Sequence, residues 1–227
     1  MIFSRLIQLI GNEKFSKLQN KTVLIFGLGG VGGNACESIA RSGFGNIILV
    51  DKDTVDESNI NRQIIALNST VGDSKVDIMK SRILDINPQC NVITHKIFYN
   101  FDTKDSIWNH HIDYVIDCID TITFKIDIIR ECIKREITFI SVMGTGNKFH
   151  PEKMELIPLG KTEYDPIARV IRNKLKKEAN LNKIMVVASK ERPLKVDSTT
   201  TSPSSNAFVP NTAGLIAASY IFNKAIE

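Results

Sequence analysis

The sequence predicts an α/β protein, with a Rossmann-like, mostly parallel sheet, helices on both faces, and added C-terminal strands and helices. Three observations predict it. Over the first 145 residues, short apolar runs alternate with segments of helical period, the pattern of parallel strands joined by right-handed crossovers. A glycine-rich turn, Gly27-Leu28-Gly29-Gly30-Val31-Gly32, separates the first apolar run from the helical segment after it. The second apolar run ends on an acid, Asp51, about 20 residues on, where a carboxylate can bind ribose hydroxyls.

Each element follows from its residues. Leu6, Ile7, Leu9 and Ile10 share one helical face, Gly11 closes that helix, and a second short helix is expected over 13–18. Residues 21–26 (KTVLIF) are an apolar run bounded by Gly27 and read as a buried parallel strand. A helix over 31–42 is stopped by Gly43 and Gly45, and 46–50 (NIILV) is the second strand. Asp73 or Ser74 can cap a helix running to 86, which Pro88 prevents from continuing. A strand over 91–97, a short helix over 103–110, a buried strand over 112–116, a helix over 123–135 and a strand over 137–142 complete the alternation. Strands at 153–157 and 184–188 then flank a basic helix over 166–178. Residues 196–206 (VDSTTTSPSSN) read as a mobile loop, and helical pattern resumes after Pro210. The whole, 1–227, reads as one domain: N-terminal helices over 1–20, a Rossmann-like core over 21–150 and a basic C-terminal region over 151–227.

Composition sets bounds. Hydrophobic residues make up 43% and charged residues 24%, enough for a full core. The formal net charge of +4 predicts no partner by itself. Its distribution is more informative: Arg169, Arg172, Lys174, Lys176 and Lys177 begin a basic stretch that runs to Lys195 and includes Arg192, against only Glu178 and Glu191. Cys36, Cys90, Cys118 and Cys132 form no CxxC pair, which argues against a zinc knuckle and for reduced thiols in a cytoplasmic protein. The N-terminus has no signal-peptide pattern, and 207–222, interrupted by Pro210, Asn211 and Thr212, falls short of the ~20 apolar residues of a membrane span. His95, His110, His111 and His150 show no metal-like spacing, and Trp108 and Phe98 read as packing residues.

In the glycine turn, Gly27 permits the tight bend. Gly29 and Gly30 let phosphate approach backbone N–H groups at a helix N-terminus, and Gly32 allows close helix–strand packing. The turn does not separate NAD from ATP. The residues after Asp51 do favour a triphosphate: Asp53, the run Ser58-Asn59-Ile60-Asn61-Arg62-Gln63, and Lys75 at the next helix start. Asp117 and Asp120 flank the end of the 112–116 strand, where a carboxylate can hold magnesium. Taken singly, Arg62 and Lys75 read equally well as surface charges, and Asp120 as a helix cap.

GLGGVGG, the acid at Asp51, SNINRQ, Lys75, INP at 86–88 and the aspartate of DCID occur in the order of the ubiquitin-activating-type (ThiF/MoeB/HesA-like) adenylyltransferases. The chain resembles that family, and within it the branch that acts on tRNA. FSRLIQLIG, STVGDSKVDIMKSRILDINP, SVMGTGNKFHP, KTEYDPIARVIRNKLKK and FVPNTAGLIAASYI carry that finer match over nearly the whole length.

The resemblance implies ATP and magnesium as cofactors. Gly29, Gly30 and Asp51 would hold the adenosine end; Asn59, Arg62 and Lys75 the phosphates, with Asp53 and Gln63 beside them; Asp120 the metal. Arg5 would be supplied across a homodimer. The reaction implied is adenylylation of the carboxylate of threonylcarbamoyl-adenosine in tRNA, followed by ring closure. The basic segment would then meet tRNA, although such a run also reads as a solvated helix face. A monovalent cation and a cysteine-desulfurase or sulfur-acceptor partner stay open. No cysteine follows Cys132, which disfavours a thioester-forming activator but not a simpler adenylyltransferase acting on a small sulfur-carrier protein. An NAD-dependent oxidoreductase and a non-catalytic nucleotide sensor are the readings from other classes. Thr121 stands where the sulfur-carrier type usually has Asn. Lys125, one turn into the next helix, reads equally as facing the nucleotide or as a solvated charge.

Overall fold

The structure, a computed structural model, describes residues 2–194 and 203–227. Helices α1 (Ser4–Ile10) and α2 (Asn12–Gln19) lead into β1 (Thr22–Phe26), α3 (Gly30–Arg41), β2 (Asn46–Val50), α4 (Lys75–Ile86) and β3 (Asn91–His95). Then come α5 (Lys104–Trp108), β4 (Tyr114–Asp117), α6 (Ile122–Lys134), β5 (Thr138–Val142), β6 (Met154–Pro158), α7 (Pro166–Leu175), β7 (Met185–Ser189) and α8 (Val209–Ile226).

The described residues form one seven-stranded sheet in the order β3-β2-β1-β4-β5-β7-β6. It is parallel except for β6, which runs antiparallel to β7. The predicted α/β class with a mostly parallel sheet is what forms. Successive strand side chains point to opposite faces, and the continuous apolar runs of β1 and β2 bury both. Val23, Ile25, Ile47 and Leu49 join one cluster with residues of α3, α4 and α8. Leu24, Phe26, Ile48 and Val50 join another with Ile107, Trp108 and Ile128. A third gathers Val186 and Ala188 of β7 with Ala168, Ile171 and Leu175 of α7.

One element differs from expectation: the basic helix stops at Leu175, so Lys176, Lys177 and Glu178 lie in the turn beyond it. The late strands extend the main sheet as expected, because β7 pairs with β5 as well as with β6. Of the predicted mobile loop, 196–202 lies outside the described residues, as does Lys195. Its end is tied down: Ser204 N–H donates to Asn147 Oδ1 at 2.8 Å, and the Asn206 side-chain amide to the Lys148 carbonyl at 2.9 Å. Among the described residues no helix is long and apolar enough to cross a membrane.

The strand order positions the site. β2 and β4 flank β1, so the chain winds outward in both directions from that strand. Such switch points leave a crevice at the carboxyl ends of the strands.

Candidate functional site

The turn after β1 is built for close approach. Gly27 has φ 81°, a region side chains disfavour. A Cβ on Gly32 would lie 1.7 Å from the Gly27 carbonyl oxygen, so the first turn of α3 presses on the loop itself. Asp51, at the end of β2, braces the same loop. Its Oδ2 accepts from Leu28 N–H at 2.6 Å and its Oδ1 from Asp53 N–H at 2.8 Å. Burial raises the Asp51 pKa, opposed by those two amides and by Lys75.

A cavity of about 370 Å³ opens above this loop. Gly27, Gly29, Gly30, Asp51, Asp53, Asn59, Arg62, Gln63, Lys75 and Asp120 all line it. Gly32 does not; its place is the helix–loop contact. The polar wall comes from the segment between β2 and α4. Asn59 ends a short 3-10 turn capped by Asp56. Arg62 is held by the Ser58 carbonyl at 2.7 Å and Asn61 Oδ1 at 2.8 Å. Lys75 is 6% exposed, with its ammonium 3.5 Å from Asp53, so it is no free surface charge. Among the described residues the buried Gln63 Oε1 has no hydrogen-bond partner. Backbone amides, the three cations Lys52, Arg62 and Lys75, and an unpartnered amide oxygen suit an anionic ligand with a polar body. Ile97, Phe98, Tyr99 and Ile119 supply the apolar side.

Beyond β4 the two aspartates part company. Asp117 is fully buried; its Oδ2 lies 2.8 Å from the Lys125 ammonium and accepts from the Ser141 hydroxyl at 2.6 Å. Asp117 is thus committed to the core. The expectation for Lys125 is corrected: itself fully buried, it neither faces a nucleotide nor sits in solvent. Asp120 remains exposed on the cavity wall; among the described residues only the Thr121 hydroxyl donates to it, at 3.5 Å. Thr121, not Asp120, is the N-cap of α6. An exposed carboxylate beside the cations of this cavity fits magnesium, which usually takes one or two carboxylates and completes its shell with waters and substrate phosphates.

A second cavity, also about 370 Å³, adjoins the first and shares Arg62, Cys118, Ile119 and Asp120 with it. Gly144, Thr145, Gly146, Asn147 and Lys148 form its floor after β5, with Pro166, Ile167, Pro193, Pro203 and Ser205 around it. The floor is pinned from below. The buried Lys148 ammonium donates to the Gly144 carbonyl and lies 3.3 Å from Asp165, whose carboxylate also caps α7 through Ala168 N–H at 2.9 Å. Cys118 stands between the cavities, and burial pushes its thiol pKa far up, so it stays protonated and poorly nucleophilic at neutral pH.

The remaining expected residues lie elsewhere. Arg5 is exposed on α1, a helix with no buried residue, and lines neither cavity. On and after α7, Arg169, Lys174, Lys176 and Lys177 are exposed, while Arg172 is engaged with the Thr162 carbonyl at 2.7 Å and with its hydroxyl. Phe98 is not a packing residue alone: it is 40% exposed on the cavity wall, edge-on to Phe124, with Lys52 4.8 Å from its ring centroid. Its place beyond the end of β3, on the carboxyl side of the sheet, was the available signal. Trp108 is buried as expected, donating to the Tyr99 hydroxyl at 2.8 Å. The histidines are less scattered in space than in sequence, since His95 Nε2 and His110 Nε2 lie 3.0 Å apart. No group of three metal-ligating side chains occurs among the described residues.

The ThiF family model matches residues 3–201. The tRNA threonylcarbamoyladenosine dehydratase of Bacillus subtilis is 47% identical over 96% of this chain and 92% of its own. The enzyme of the same name from Escherichia coli K12 is 35% identical over 78% of this chain and 66% of its own. The crystal structure of E. coli TcdA in complex with ATP superposes with a TM-score of 0.91 at 30% identity, covering 99% of this chain and 93% of that one.

Proposed function

This chain belongs to the ThiF family, and from that premise we propose how it works. It is an ATP-dependent tRNA threonylcarbamoyladenosine dehydratase. The carboxylate of the modified nucleoside attacks the α-phosphorus of ATP, forming an acyl–phosphate bond as the bond to pyrophosphate breaks. The carbamoyl group of the same nucleoside then closes on the activated carbonyl and gives up a proton, and AMP leaves. The nucleoside has lost one water. Because the second nucleophile is already tethered, ring closure needs positioning more than a protein nucleophile. The raised pKa of the Cys118 thiol, which disfavours a thiolate, accords with this.

The geometry supports the following roles. The amides of the glycine turn and Asp51 take the adenosine end, with Phe98 beside it. Asn59, Arg62, Gln63 and Lys75 take the phosphates, Asp53 orients Lys75, and Asp120 offers its carboxylate to magnesium. Magnesium, when bound, offsets the charge that builds as pyrophosphate departs. The second cavity receives the threonylcarbamoyl group. Its shared wall with the first, formed by Arg62 and Asp120, is the observation that carries this reading, because it sets the acceptor beside the phosphates.

The finer features rest on the resemblance. The chain acts as one domain over 1–227 in the cytoplasm, as a homodimer in which Arg5 serves the partner's site. The exposure of Arg5 and the unburied α1 support that. Its 151–227 region supports tRNA and the dimer. A monovalent cation and a cysteine-desulfurase partner belong to the same inheritance, with no residue assigned to them.

The test is mass spectrometry of nucleosides from tRNA incubated with the protein, ATP and magnesium. Loss of one water from threonylcarbamoyl-adenosine, with release of AMP and pyrophosphate, is expected. Unchanged tRNA, with pyrophosphate release stimulated only by a small sulfur-carrier protein, would overturn the reading.

A further inference from the structure

We propose that Tyr164 and Arg192 form a stacking platform for an RNA base flanking the modified adenosine; this rests on the tRNA reading above and extends it to a site. Tyr164 is 47% exposed and belongs to none of the three apolar clusters, so the core does not require its ring. It also has φ 54°, in the left-handed region that bulky residues seldom occupy. Such strain collects at functional sites.

The chain on either side holds the residue in that conformation. Thr162 is buried and bonded to Arg172, and Asp165 caps α7. The Arg192 guanidinium carbon lies 4.5 Å from the Tyr164 ring centroid and covers one face of it. The ring's remaining exposure is what a base can stack against.

Position and charge identify the ligand. Tyr164 is two residues before Pro166 and Arg192 one before Pro193, and both prolines line the second cavity, so the platform stands close to it. Arg169, Lys174, Lys176 and Lys177 are exposed on and just after the helix that begins there. Of the two acids beside Tyr164 in the chain, Asp165 is buried against Lys148 and Glu163 is exposed. An aromatic face backed by a guanidinium and flanked by cations suits an unstacked base with its phosphates.

The experiment measures KM for substrate tRNA and for ATP in the full chain and in Tyr164→Ala, Tyr164→Phe and Tyr164→Gly. Tyr164→Ala should raise KM for tRNA on the order of tenfold and leave KM for ATP unchanged, and Tyr164→Phe should behave as wild type. Tyr164→Gly should keep or raise the melting temperature, since glycine accepts the left-handed backbone, and still lose the tRNA affinity. An unchanged KM for tRNA in Tyr164→Gly, or equal losses for ATP and tRNA in Tyr164→Ala, would overturn the platform. A wild-type protein that leaves the tRNA unmodified would instead overturn the functional reading, and the platform with it.

Discussion

The ammonium of Lys125 lies 2.8 Å from the Asp117 carboxylate, and both side chains are fully shielded from water. Ser141 and the Ile119 N–H complete the carboxylate's hydrogen bonds. The Ile119 bond matters for the site, because it sets the turn that presents Asp120. Removing one partner of such a pair leaves an uncompensated buried charge. Lys125→Met should therefore lower unfolding free energy by about 3–5 kcal/mol, measured by urea denaturation. Lys125→Met combined with Asp117→Asn should cost less than Lys125→Met alone. A single variant as stable as wild type would show that the pair is not what holds this turn.

Gly32 has no room for a side chain. Its substitution by alanine forces the Gly27 carbonyl and the glycine loop to move. Turnover should fall roughly 10²-fold, the scale of an ångström-sized misplacement of reacting groups. Wild-type kinetics in Gly32→Ala would mean that the loop tolerates a shift there.

Asp120 is exposed and makes one weak hydrogen bond. Asp120→Ala should leave the melting temperature within the range of ordinary surface changes, about 0.5 kcal/mol in stability. It should nearly abolish turnover, with a loss of at least roughly 10²-fold. Chelation of magnesium should do the same to wild type. Normal turnover in Asp120→Ala would remove metal ligation from its role.

Arg5 lines neither cavity of its own chain. If it serves the partner's site, Arg5→Ala and Lys75→Ala subunits should complement each other. Equal mixing should restore about a quarter of wild-type activity, since half the two-fold dimers are mixed and each carries one complete site. No recovery at any mixing ratio would exclude action across the dimer.

Phosphate contacts make affinity depend on salt. The logarithm of KM for tRNA should rise linearly with the logarithm of salt concentration. Lys174→Ala and Lys177→Ala should each reduce that slope by about one. Arg172→Ala should act differently, lowering stability, because Arg172 is bonded to Thr162. A slope unchanged in both lysine variants would return the basic turn to ordinary solvated surface.

Much of this was legible in the residues. The continuous apolar runs of β1 and β2, the glycine turn and the acid at Asp51 determined a parallel sheet with a glycine-lined crevice at its carboxyl edge. Each of those is a local property: a period of two, a bend only glycine accepts, a helix N-terminus. The order of Asn59, Arg62, Lys75 and Asp120 along the chain was enough to collect one wall.

Tertiary packing decided the rest. Whether Lys125, on α6, faced water, ligand or core depended on Asp117 and Ser141 meeting it from β4 and β5, which no local pattern encodes. The second cavity is assembled from segments as far apart as Val31, Asp120, Lys148, Pro166 and Ser205. Phe98 became a wall residue, and Arg172 a brace for Thr162, for the same reason. Burial and hydrogen-bond satisfaction are set by neighbours in space, and the sequence specifies those neighbours only through the completed fold.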